Sequence, residues 1–278
     1  MPATLITVAP TGAESTPEDN PALPVTLEQL AQTVVACREA GAAMVHLHVR
    51  DARGRPTLDL ARIREAVAVV RESTDLIVQL STGGSVTDSF EARMAVLDAA
   101  PDSCSLTTGT VNFGDAVFAN PWPFVAALYQ QAQERAILPE FELFDLGHVV
   151  AMNRLLDTYG PPTGGHVHAD FVLGVPGGMP GTAQALVAGL AMLPPGATWS
   201  ATGIGRSTVP VMMAALSLGG HLRVGMEDTL GYGPGRPVTG NAPLVARAAR
   251  LAAEAFRPAA SPEQARVMLG LAPAERVR

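Results

Sequence analysis

His46 and His48 stand one residue apart at the end of the apolar run Ala42-Ala43-Met44-Val45, and Glu227 lies in Arg223-Val224-Gly225-Met226-Glu227-Asp228 near the far end of the chain. In a strand, residues i and i+2 project from one face, so the two imidazoles would point side by side. Two imidazoles and a carboxylate form a ligand set for a catalytic zinc that keeps one position open. All 19 basic residues are arginine, and the chain has no lysine. Carbonyl activation through a lysine Schiff base is therefore excluded, and for a carbonyl substrate a metal is the expected electrophile.

Arg223 and Asp228 bracket Glu227. An arginine beside an acid holds it charged, which serves plain ion pairing as well as it serves a carboxylate base aimed at a substrate carbon. Glu140 and Glu142 share one face of another apolar stretch, and two inward acids need cations or a ligand. Ser81-Thr82-Gly83-Gly84 offers hydroxyls and close backbone N–H groups to a carboxylate or phosphate. Gly203-Ile204-Gly205-Arg206 precedes a helix, a place where phosphate binds. A second pair, His166-Val167-His168, falls at the start of its apolar stretch and is read as structural or interfacial; His148 and His221 have no partner in sequence and are read as satisfied histidines.

Eight short apolar stretches must carry these groups: Leu5–Pro10, Met44–Val49, Leu76–Thr82, Ser103–Gly109, Leu138–Phe144, His166–Gly174, Thr198–Ile204 and His221–Glu227. Between them lie segments of helical spacing: Thr26–Ala40, Leu58–Glu72, Asp88–Ala99, Pro121–Arg135, Val149–Tyr159, Thr182–Leu193, Thr208–Leu218 and Asn241–Ala255. Several open on a capping Thr, Asp or Asn. Such alternation predicts a (β/α)8 TIM barrel over 1–278, and Ser261-Pro262 starts a short C-terminal helical extension. An open doubly wound sheet is the alternative, but no Gly-x-Gly-x-x-Gly follows the first strand. Active sites of such barrels lie at the C-terminal strand ends. This chain puts Glu14, His46, His48, Ser81, Thr82, Thr107, Glu142, Gly203, Arg223, Glu227 and Asp228 at that end.

Composition narrows the partners. Hydrophobic residues make up 47% and charged ones 16%, which excludes a largely disordered chain. With a net charge of −7 and no basic cluster, nucleic acid is not an expected partner. No apolar run reaches the roughly 18 residues of a membrane span. Met1-Pro2-Ala3-Thr4 does not read as a signal peptide, and Cys37 and Cys104 read as buried free thiols, so a cytoplasmic protein is expected.

Taken together, these segments resemble the β-keto acid cleavage enzymes, whose best-known activity is cleavage of 3-keto-5-aminohexanoate in lysine fermentation. The resemblance is carried by Thr11-Gly12-Ala13-Glu14, Pro21-Ala22-Leu23-Pro24-Val25-Thr26, His46-Leu47-His48-Val49-Arg50-Asp51, Ser81-Thr82-Gly83-Gly84, Pro139-Glu140-Phe141-Glu142-Leu143-Phe144-Asp145, Phe171-Val172-Leu173-Gly174-Val175, Gly203-Ile204-Gly205-Arg206 and Gly219–Asp228, with Asn241–Val245 and Glu263–Leu271 at the C-terminus. It covers nearly the whole chain in order.

The resemblance implies a barrel, a homotetramer, and one Zn²⁺ on His46, His48 and Glu227. It implies a reaction in which a β-keto acid and acetyl-CoA give acetoacetate and a new acyl-CoA. Asp228, held by Arg223, would be the base. Ser81 and its turn, with Thr82, Gly83, Gly84 and Thr107, would bind substrate; Gly203, Gly205 and Arg206 would face the acetyl-CoA. Glu14 and Glu142 match positions near the amino end of an aminohexanoate substrate. The stretches Gly165–Asp170 and Pro176–Pro180 depart from the family pattern. Rival readings are a metal-dependent aldolase or lyase without CoA, an amidohydrolase-like zinc hydrolase, and an inactive barrel that only binds.

Overall fold

Residues 3–273 are described by a computed structural model of the chain; Met1 and Pro2 of the N-terminal stretch read above lie outside them. Strands β1 (Ile6–Val8), β2 (Met44–Leu47), β3 (Ile77–Leu80), β4 (Ser103–Thr107), β7 (Leu138–Leu143), β8 (His168–Leu173), β9 (Thr198–Gly203) and β10 (His221–Val224) close into a barrel in that order. Every neighbouring pair is parallel, and β10 returns to β1 through Ile6–Leu222, Thr7–Arg223 and Val8–Val224. The expected (β/α)8 architecture is the one observed. Two antiparallel hairpins, β5 (Val111–Phe113) with β6 (Ala116–Phe118) and β11 (Gly231–Gly233) with β12 (Arg236–Pro237), are additions that the alternation did not announce.

The surrounding helices are α1 (Leu27–Ala40), α2 (Leu60–Ser73), α3 (Phe90–Ala95), α4 (Trp122–Glu134), α5 (Leu146–Tyr159), α6 (Ala183–Leu190), α7 (Thr208–Leu218) and α8 (Ala242–Glu254). Their starts follow from side chains that satisfy orphan N–H groups. Thr26 and Gln29 form a reciprocal capping box on α1, and Asp59, Ser89, Asp145 and Thr182 cap α2, α3, α5 and α6. Asn241 is different. Instead of capping α8 it accepts from Met226 N at 2.8 Å and donates to Pro10 O at 3.0 Å, tying together the ends of β10 and β1 beside Glu227. No helix among the described residues is long and apolar enough to cross a membrane.

Inside the barrel the layers change character with height. At the bottom, Leu5, Met44, Ile77 and Leu138 form an apolar floor, closed from below by Ala265 of α9 (Pro262–Met268) and by Leu269. That extension is the one expected, with Ser261 and Gln264 in a capping box. Above the floor the interior turns polar. Glu140 meets His168 Nε2 at 3.2 Å, and His168 also reaches Thr198 Oγ1 and Ser200 Oγ. Asp170 accepts from Thr202 Oγ1 at 2.6 Å. Barrels usually fill this volume with Val, Ile and Leu; here the inward acids find partners, Glu140 in the His168 ring and, one layer higher, Glu142 in the Arg223 guanidinium.

His168 is thus structural, as its place at the strand start suggested. The pair His166–His168 is nonetheless split: Gly164 and Gly165 sit at φ of 90° and 78°, so β8 begins only at His168 and His166 stays exposed in the turn. His148 accepts from Phe144 N and lies 3.4 Å from Thr110 O, and His221 Nδ1 accepts from Leu5 N; both are buried and satisfied. Cys37 and Cys104 are buried free thiols.

Candidate active site

Above the polar layer, strand ends converge on His46, His48 and Glu227, which could hold a metal ion. β2 presents His46 and, just past its end, His48; the loop after β10 brings Glu227 across β1 to meet them. Both Nε2 atoms lie 3.7 Å from Glu227 Oε1, and one donor atom from each of the three residues falls within 4.8 Å of the others. The approach depends on Gly12, at φ 65°: a Cβ there would meet Glu227 Cγ at 2.7 Å.

The donor set fits a divalent metal on three grounds. Gln79 Nε2 donates to Ser103 Oγ at 3.1 Å, which turns Oε1 toward His46 Nδ1 at 2.6 Å. His46 therefore donates from Nδ1 and keeps its Nε2 lone pair toward Glu227, the orientation a ligating histidine takes from its outer partner. Burial pushes both imidazoles below their ordinary range, leaving them neutral and able to ligate. Glu227 Oε2 is buried without any hydrogen-bond partner. Burial opposes its charge, but Arg223 outweighs that and holds the carboxyl at about 2.

Arg223 is the hub of the charges. Nη1 donates to Glu142 Oε1 at 3.0 Å; Nη2 donates to Asp228 Oδ1 at 3.1 Å and also to Glu227 Oε1. Its own burial disfavours charge, yet Asp228, Glu227 and Glu142 keep it firmly protonated. Asp228 Oδ2 has no partner and the residue lines the cavity, where burial, against the pull of Arg223, pushes the carboxyl up to about 7. A desolvated carboxylate with one oxygen unpartnered is equipped to take a proton near neutral pH.

The cavity over these groups measures about 400 Å³ and is lined by Glu14, His48, Ser81, Gly83, Gly84, Glu142, Arg223, Glu227 and Asp228, with Phe113, Phe118, Phe144 and Val172 among its apolar walls. His46 lies beneath, 1% exposed. The expected site residues therefore divide. Ser81 keeps its hydroxyl available: its Oγ accepts from Gly83 N at 3.1 Å, and its O–H has no acceptor among the described residues.

Several residues expected to meet ligands make contacts within the protein. Thr82 Oγ1 donates to Ser105 O at 2.6 Å, and Thr107 Oγ1 donates to Glu142 Oε2 at 2.9 Å, so neither hydroxyl faces the cavity. Glu142 touches the cavity with both oxygens already committed. Glu14 is exposed at the mouth, on a loop held by Arg50, whose Nη2 donates to Gly12 O and Ser15 O. Gly203 is a packing glycine, because a Cβ there would meet Ser207 O at 2.4 Å. Gly205 and Arg206 are exposed beside Ile204, which does line the cavity.

Sequence reasoning missed Gln79, Arg50 and the aromatic hairpin. An amide in the apolar stretch Leu76–Thr82, on the strand next to the histidines, was the available signal for Gln79.

Comparison with known proteins is consistent with this arrangement. A family model described as beta-keto acid cleavage enzyme matches residues 3–271. The 3-keto-5-aminohexanoate cleavage enzyme of Fusobacterium nucleatum is 37% identical over 276 residues, covering 98% of this chain and 99% of that protein. The 3-oxoadipate:acetyl-CoA acetyltransferase of Cupriavidus necator is 37% identical over 274 residues, covering 96% and 94%. Among solved structures, the ternary complex of ObcA with a C4-CoA adduct and oxalate superposes with a TM-score of 0.76 at 23% identity, covering 90% of this chain and 68% of that one; this likeness is one of fold.

Proposed function

This chain belongs to the β-keto acid cleavage enzyme family, and we propose that it exchanges acyl groups between a β-keto acid and acetyl-CoA, giving acetoacetate and the CoA thioester of the remaining acyl group. The observation that carries the reading is the convergence, over one cavity, of the His46–His48–Glu227 ligand set, the free oxygen of Asp228 and the free hydroxyl of Ser81. His46, His48 and Glu227 would hold zinc, which when bound supplies a Lewis acid for the keto group. Asp228 Oδ2 takes the proton from the substrate α-carbon, and Arg223 steadies the carboxyl through Oδ1. Ser81 donates to the substrate carboxylate. The resulting carbon nucleophile attacks the acetyl carbonyl and expels the CoA thiolate. The thiolate attacks the original acyl carbonyl, the bond from that carbonyl to the α-carbon breaks, and Asp228 returns its proton to the α-carbon as acetoacetate leaves, so no lysine takes part.

Arg206, exposed and without an ion pair among the described residues, would meet the phosphates of the CoA, with the Gly203–Gly205 turn beneath it. Substrate choice between amino-bearing and neutral acyl chains falls to Glu14 alone, since Glu142 is occupied by Arg223 and Thr107. Glu14→Gln should then lower kcat/KM for 3-keto-5-aminohexanoate far more than for 3-ketohexanoate. Equal losses on the two would remove Glu14 from specificity. The working particle is a homotetramer in the cytoplasm; exposed Val150, Val187 and Met213 on α5, α6 and α7 supply apolar surface for subunit contact.

The test is a panel of β-keto acids with acetyl-CoA, following acetoacetate, on protein whose metal is measured in parallel. About one zinc per chain and acetoacetate formation that requires acetyl-CoA are expected. A zinc-loaded protein that makes no acetoacetate from any of them would overturn the assignment.

A further inference from the structure

Arg93 of α3 has no place in the chemistry above, yet it is 3% exposed and has no carboxylate hydrogen-bond partner among the described residues. Its fork is spent on neutral acceptors. Nε donates to Thr82 O at 2.7 Å, Nη1 to Ala119 O at 2.9 Å and Nη2 to Asn120 Oδ1 at 2.5 Å. The guanidinium also lies 4.5 Å from the ring centroid of Phe124 and 4.8 Å from that of Phe118. Burial pushes it down to about 10, so it remains charged at neutral pH.

Two segments of cavity wall meet at this cation. One is the turn after β3 with Ser81, Gly83 and Gly84; the other is the β5–β6 hairpin with Phe113 and Phe118. Neither is rigid alone, because a glycine pair has wide backbone freedom and an isolated short hairpin is marginal. Their contact is close: a Cβ on Gly83 would lie 3.2 Å from both Phe118 Cζ and Ser81 Oγ. A planar fork fixes three acceptors at set angles, which a leucine filling the same volume cannot do.

We propose that Arg93 is a positioning residue that locks the Ser81–Gly84 turn to the β5–β6 hairpin, setting how closely the site grips the carboxylate end of the β-keto acid. The kinetic side of this rests on the acyl-exchange reading above; the coupling of the two segments does not. Arg93→Lys retains charge and bulk but loses the fork. In the metal-loaded enzyme it should raise KM for the β-keto acid about fivefold, the size of one weakened hydrogen bond, with kcat, KM for acetyl-CoA and zinc content near wild type. Amide hydrogen exchange should quicken in 81–84 and 111–120 together and stay unchanged in β1, β2 and β10. Asn120→Ala, which removes one acceptor, should give a smaller change of the same kind. A lysine variant with lower Tm but wild-type KM for both substrates would make Arg93 scaffold only. Unchanged exchange in either segment would overturn the coupling, whether or not the wild type turns over a β-keto acid.

Discussion

Arg223 serves three carboxylates, and what each acid can still do follows from the oxygens it has left. Glu142 has none free, Asp228 keeps Oδ2, and Glu227 keeps Oε2 beside two neutral imidazoles. His46→Ala should therefore lose zinc and turnover while retaining the fold, because Gln79 and the strand register do not depend on the metal; full zinc occupancy in that variant would refute the ligand set. Asp228→Asn preserves shape and removes basicity, so kcat should fall at least about a hundredfold with zinc unchanged. A variant with near-normal kcat would leave Asp228 as a support for Arg223. His46-x-His48 was legible because strand alternation turns sequence spacing directly into a shared face. The Arg223–Glu142 bond was not, since its partners are 81 residues apart and only the closed barrel brings them together.

At the scale of elements, periodicity and caps located all eight barrel strands and their helices, but not the hairpins. Val111–Phe113 and Ala116–Phe118 are three-residue strands whose partner is only each other, too short for a period to show. That omission matters for the site, because Phe113 and Phe118 wall the cavity. Asn241 looked like a cap and became a tie between β1 and β10, a tertiary use that local pattern does not distinguish. The C-terminal helix was readable from Ser261-Pro262-Glu263-Gln264, and its role follows from the floor it covers. Ser261→Ala should cost about 1 kcal/mol, the usual value of an N-cap. Thermal unfolding should show a Tm lower by a few degrees with the kinetics unaltered; an unchanged Tm would mean that α9 is held by its apolar contacts alone.

Across the whole molecule, the unusual feature is a barrel whose interior above an apolar floor carries ionisable rather than aliphatic side chains. Asp170 exposes no surface, and burial raises its carboxyl well above the ordinary range, helped by Glu140. A folded-state pKa raised above the unfolded one means that the folded protein binds the extra proton, so stability falls as pH rises from the unfolded value toward the folded one. Asp170→Asn keeps an acceptor for Thr202 and removes the titration. Its Tm should exceed the wild-type value at pH 8, with the gap shrinking as pH is lowered toward 4; a gap independent of pH would place the penalty elsewhere.

The central claim, acyl exchange between a β-keto acid and acetyl-CoA, is tested most directly by label transfer. With acetyl-CoA labelled in both acetyl carbons and an unlabelled β-keto acid, carbons 3 and 4 of the acetoacetate should carry the label, and an equal amount of unlabelled acyl-CoA should form. Acetoacetate without label, or cleavage of the β-keto acid in the absence of acetyl-CoA, would contradict the account and point to a lyase.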